Sequence, residues 1–197
     1  MTEFYINGQK VDVKIEDEET VGDVLHSFEQ ICEENEASVI GITLNETKIT
    51  AENFDNEAKK RLSGNEKFDF TIVTKAEIQQ SFITLSELFE ELAQQMENVP
   101  AELQNGRNLE VTESIKKLAD SIDQFSHTAA LATLYPETFA DTTIDGMNFN
   151  EFFAEFSPVL KDFEDALQNK DTVMIGDLSE YEICPRLRAI SQALKQK

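Results

Sequence analysis

The stretch Phe68–Val99, FDFTIVTKAEIQQSFITLSELFEELAQQMENV, decides how this chain folds, because two periodicities meet in it with no linker between them. In FDFTIVT, Phe68, Phe70, Ile72 and Thr74 share one face while Asp69, Thr71 and Val73 share the other, the alternation of a half-buried strand. From Ile78 onward Phe82, Leu85, Phe89, Leu92, Met96 and Val99 recur at alternating steps of three and four, the apolar seam of a helix. Pro100 is expected to end that helix. Strand patterns precede the junction and helix patterns follow it, so the fold class is α+β, with a sheet-bearing domain over residues 1–75 and a helical domain over residues 76–197.

Upstream of the junction, Asn7-Gly8 separates two short strand patterns, and a two-residue turn of this composition supplies the positive φ that a type I′ hairpin requires. Val11, Val13 and Ile15 alternate with Asp12, Lys14 and Glu16, which extends the expected second arm to Glu16. Thr20 with Asp23 reads as a helix N-cap, and Val21, Val24, Leu25, Phe28, Ile31 and Cys32 follow at helical spacing. SVIGITL (38–44) is a third strand pattern, Asn45-Glu46 a turn, and KIT (48–50) a short strand.

The order hairpin, helix, strand, short strand, closing strand resembles the ubiquitin-like β-grasp family over about 75 residues, in INGQKVDVKIEDEETVGDVLHSF and ITLNETKITAENFD above all. The resemblance implies a closing strand in the middle of the sheet, beside the first. Conjugated modifiers and sulfur carriers of that family end in a free Gly-Gly, whereas here Thr74-Lys75 runs on into a helix, which excludes carrier or modifier chemistry.

Downstream, Val111, Ile115, Leu118, Ile122, Phe125, Ala129 and Ala132 repeat the helical stepping until Tyr135-Pro136 stops it. A third helix opens at Asn148 with Glu151 as capping partner and carries Phe149, Phe153, Phe156, Leu160, Phe163 and Leu167. A fourth pattern runs from about Thr172 to about Leu194 and changes phase at Cys184-Pro185. Four amphipathic helices joined by loops containing Pro, Gly and Asn predict an antiparallel four-helix bundle.

Charge restricts the function. The chain of 197 residues holds 39 acidic and 17 basic residues, a net charge of −22 and a pI near 4.3. Residues 1–75 hold 17 acids and 8 bases, and residues 76–197 hold 22 and 9, so both parts are acidic. Such a field repels phosphate backbones and anionic lipid, which argues against nucleic-acid and membrane partners and for a basic protein partner. No apolar run has the length of a membrane span, and the opening MTEFYINGQKV lacks the features of a signal peptide, so a cytoplasmic location is expected. Cys32 and Cys184 lie in different regions and form neither a redox pair nor a zinc ligand set.

Candidate sites concentrate in the last two helices. Pro158 and Pro185 are expected to kink them at similar heights, opening a pocket lined by Phe156, Tyr181 and Cys184. Asp177, Glu180 and Glu182 form an acidic contact in the stretch DTVMIGDLSEYEICPRLRAI. The loop Asp141–Gly146 opens like a calcium loop, but its twelfth position is Phe152, where a bidentate acid is needed, so a turn followed by an N-cap explains it better. His26 and His127 have no catalytic companions, and there is no glycine-rich phosphate loop. These readings favour a non-enzymatic cytoplasmic adaptor or scaffold without cofactor or metal, with two alternatives: an acidic chaperone for a secreted or filament-forming substrate, and a small-ligand binder or enzyme using the proline-kink pocket.

Overall fold

The computed structural model describes residues 2–195, which divide into two compact units after Glu77. In the first unit, Asn7 and Gly8 take φ of 50° and 76°, closing the hairpin of β1 (Glu3–Ile6) and β2 (Gln9–Val11). β2 stops well short of the expected Glu16 because Val11 already pairs with Phe4, near the start of β1, so a longer arm outruns its partner strand. Ile15 nevertheless packs against the core.

Thr20 and Asp23 form a reciprocal capping box on α1 (Val21–Glu34), with the Asp23 amide donating to Thr20 Oγ1 at 3.2 Å and the Thr20 amide donating to Asp23 Oδ2 at 2.8 Å. The expected stripe is buried except for Ile31, which is 52% exposed. β3 (Ala37–Leu44), β4 (Thr47–Ile49), the short α2 (Phe54–Ala58) and β5 (Lys67–Thr74) complete the unit.

The strands form one sheet in the order β2-β1-β5-β3-β4. β5 is parallel to β1, with Phe4 opposite Phe68, and antiparallel to β3. A bulge at Ile40 shifts the β3–β5 register between Val39 and Gly41 and leaves Ile40 exposed. Phe28 of α1 stacks on Phe70 at 3.7 Å and Phe4 on Phe68 at 5.3 Å, so β5 supplies the centre of this core. Beyond the end of β1, the Asn7 carboxamide acts as a further strand residue: Oδ1 accepts from the Ile72 amide at 3.0 Å and Nδ2 donates to the Ile72 carbonyl at 3.3 Å.

In the second unit, the seam residues Ile78, Phe82, Leu85, Phe89, Leu92, Met96 and Val99 of α3 (Lys75–Gln104) are all at or below 1% exposure. Pro100 does not end α3. The helix tolerates the lost donor for one further turn and terminates where Gly106 (φ 74°) lets its amide reach the Leu103 carbonyl and the Arg107 amide reach the Glu102 carbonyl, a Schellman closure.

α4 (Asn108–Ala132) and the one-turn α5 (Pro136–Phe139) follow. A tight turn at Asp145-Gly146, with φ of 51° and 81°, is flanked by the bridged pair Ile144 and Met147. α6 (Phe149–Asn169) starts in the expected Asn148–Glu151 capping box, runs unbroken through Pro158, and ends at left-handed Lys170. α7 (Thr172–Asp177), a π-helical segment (Leu178–Ile183) and α8 (Cys184–Leu194) close the chain.

Phe125 is the hub of this core, lying 5.1 to 6.3 Å from Phe82, Phe89, Phe149 and Phe153 and so joining α3, α4 and α6. Among the described residues no helix is long and apolar enough to cross a membrane. The observed class is mixed α+β, a five-stranded sheet unit followed by a mostly helical one.

Candidate functional site

α7 begins two residues after Lys170 because the Asp171 carboxylate between them caps it, accepting from the Met174 amide at 3.1 Å. Its Gly176 faces Pro100 of α3: a Cβ built on Gly176 would lie 3.4 Å from the Pro100 Cβ. This close approach floors a groove of about 250 Å³ lined by Pro100, Leu103, Val173, Gly176, Asp177 and Glu180 among others. Val173 is 72% exposed and Tyr181 65% exposed.

Among the described residues no basic side chain forms an ion pair with Asp177 or Glu180. The negative charge of Glu180 pushes the Tyr181 phenol above its ordinary value, helped by a hydrogen bond between the two side chains and by Asp177. The groove is therefore a depression of mixed lining, with Pro100, Leu103 and Val173 beside Gln104, Thr172 and the Asp177 and Glu180 carboxylates, next to an exposed phenol.

The π segment explains why Tyr181 stands outside. Pro185 has no amide to give to the carbonyl of Tyr181 four residues earlier, and its ring would collide with that carbonyl in a regular helix. The backbone widens here, and the Cys184 amide donates to the Ser179 carbonyl, five residues back. The widened turn buries Ser179 and Ile183, and its outward face carries Tyr181.

This geometry separates the residues expected to share a pocket. Phe156 and Cys184 are buried in the core at 0% and 2% exposure, while Tyr181 is exposed, so the three do not form one lining. Phe156 packs against Phe152 at 5.8 Å and lies under the Arg186 guanidinium at 5.9 Å; burial pushes the Cys184 thiol up, against an opposing pull from Arg188.

Of the three expected acids, Asp177 and Glu180 meet at the groove. Glu182 is engaged elsewhere, accepting from Arg186 at 2.6 Å and thereby holding the cation that covers Phe156. Among the described residues no group of three or more His, Cys, Asp or Glu side chains is arranged to hold a metal ion.

A larger cavity lies elsewhere, about 550 Å³ between the C-terminal half of α4, α5 and the start of α6. Phe125, Ala129, Phe139, Phe149 and Phe153 line it. Sequence periodicity assigns most of these residues to apolar faces, but it carries no information on the volume left between faces, and Phe139 lies in a loop by pattern.

The helical unit defines the class of protein. Residues 80–193, more than half the chain, match the family described as Domain of unknown function (DUF8042), and the chain belongs to that family. Residues 2–74 match the model described as TP0873 N-terminal domain. Within this class, the chain is similar to an uncharacterized protein of Treponema pallidum (strain Nichols), 22% identical over 189 residues that span 96% of this chain and 94% of that one. No solved structure matches.

Proposed function

We propose that this protein is a non-enzymatic cytoplasmic adaptor whose groove beside α7 docks a basic, amphipathic segment of a partner protein. The observation that carries the reading is the placement of the Asp177 and Glu180 carboxylates, which form no ion pair among the described residues, beside exposed Val173 and Tyr181. A partner segment with apolar anchors and Lys or Arg flanks complements both halves of that surface, and the net charge of −22 speeds its approach.

The same reading takes residues 1–75 as a ubiquitin-like β-grasp domain and residues 76–197 as an antiparallel four-helix bundle domain. The strand order β2-β1-β5-β3-β4 with β1 parallel to β5 supports the former. The pairing of Arg188 with Glu97 at 2.5 Å and of Lys195 with Glu90 at 3.9 Å, which runs α8 antiparallel to α3, supports the latter.

Substitution tests the docking surface directly. Val173→Asp and Tyr181→Ala are both at exposed positions, so the fold should survive them, and each should weaken retention of the partner by about tenfold, the loss of roughly 1.4 kcal/mol. Full retention by both variants would remove the groove from the account.

A further inference from the structure

The cavity between α4, α5 and α6 has no role in the docking surface, and its lining differs sharply from the rest of the chain. Among the described residues no charged one lines it, although 28% of all residues are charged. Its walls are mostly phenylalanine and alanine, with Ser126, Thr133, Thr142, Asn148 and Asn150 as the polar positions around them. At about 550 Å³ it falls in the range of small-molecule sites.

Two sets of unused hydrogen-bond donors border it. Thr142 lines the cavity at 4% exposure, and its buried Oγ1 has no hydrogen-bond partner, which is unfavourable unless something else supplies one. At the first turn of α6 the Asn148 side chain satisfies the Glu151 amide, leaving the amides of Phe149 and Asn150, both lining residues, without a helical acceptor.

We propose that this cavity is a binding site for a neutral, largely aromatic or acyl small molecule bearing one carbonyl acceptor. Phe125, Phe139, Phe149 and Phe153 supply stacking and edge contacts for an apolar body. The leftover donors at Thr142 and the α6 N-terminus suit an acceptor oxygen, and the acidic field of the chain favours a neutral carbonyl over a carboxylate.

Nile red, neutral and aromatic with a carbonyl oxygen, is a suitable probe for fluorescence titration of the full chain. The wild type should bind it saturably at one site. Ala129→Phe, which fills the cavity, and Ala140→Phe, placed at an exposed lining position so that the fold is kept, should each weaken binding by about tenfold or more. Thr142→Val, which keeps the shape and removes the hydroxyl, should weaken it severalfold.

Absence of saturable binding by the wild type, or undiminished binding by both cavity-filling variants in their folded form, would overturn the proposal. So would undiminished binding by Thr142→Val, which would leave the carbonyl without its donor. Concentration-dependent self-association that Ala129→Phe abolishes, with no saturable dye binding, would overturn it by assigning the cleft to a second copy of the chain.

Discussion

Gly176 lies against Pro100 so closely that the missing side chain of one makes room for the ring of the other, with 3.4 Å between a Cβ built on Gly176 and the Pro100 Cβ. This contact joins α7 to the last turn of α3 and sets the floor of the acidic groove. Gly176→Ala should be tolerated and gain about 0.5–1 kcal/mol of helix propensity, since its methyl would meet Pro100 at ordinary contact distance. Gly176→Leu should force the two helices apart and lower stability in urea unfolding by about 1–3 kcal/mol.

Tyr181 reports on the charge of that groove. Its phenol should ionise above the ordinary tyrosine value, because Glu180 and then Asp177 disfavour the phenolate. Ultraviolet difference titration, with Tyr181→Phe to assign the transition among the 3 tyrosines, should show Glu180→Gln shifting it downward. An unchanged transition would mean that Glu180 does not act on the phenol.

Glu66 is the acid whose protonation the sheet unit should feel most. At 6% exposure burial alone would raise its pKa, but the Ser63 amide and hydroxyl, its own amide and the Thr2 hydroxyl outweigh that and hold it at about 2. A folded-state value below the usual 4.5 means that the stabilisation is complete above pH 4.5 and is lost as pH falls toward 2. The effect is on the order of 3 kcal/mol. Glu66→Gln should remove this acid-range dependence and destabilise the unit at neutral pH, as followed by circular dichroism against pH and urea.

Asn148 starts the helix that carries Phe149 and Phe153 to the Phe125 hub. Asn148→Ala should cost about 1 kcal/mol by freeing the Glu151 amide, and Asn148→Asp should retain the cap. Thermal unfolding of the two variants decides this, and equal losses would assign the residue a role other than capping.

What could be read without coordinates was local. Asn7-Gly8, Thr20 with Asp23 and Asn148 with Glu151 each need only a few neighbouring residues, and each forms the turn or cap its composition requires. The seam from Ile78 to Val99 was legible because burial on one helix face follows from spacing alone. Proline misled at Pro100, which is carried inside α3, and Pro185 is met by a π turn that the helical spacing did not foretell, since backbone adjustment nearby can absorb a lost donor. That turn separates Tyr181 from Phe156 and Cys184, whereas the pairing of Glu182 with Arg186 is an i,i+4 spacing that stands in the sequence. The α4–α6 cavity was invisible for a further reason, because it is a space between elements rather than a property of any one of them.

The central claim is that Asp177 and Glu180 hold a basic protein segment, and the most direct measurement is capture by the tagged full chain from its own host's lysate, with and without Asp177→Lys and Glu180→Lys together. The account predicts a stoichiometric basic protein that is retained at low salt, released as salt rises, and absent from the charge-reversed chain when circular dichroism shows that chain folded. A retained set indifferent to both salt and charge reversal, or no retained protein at all, would contradict it.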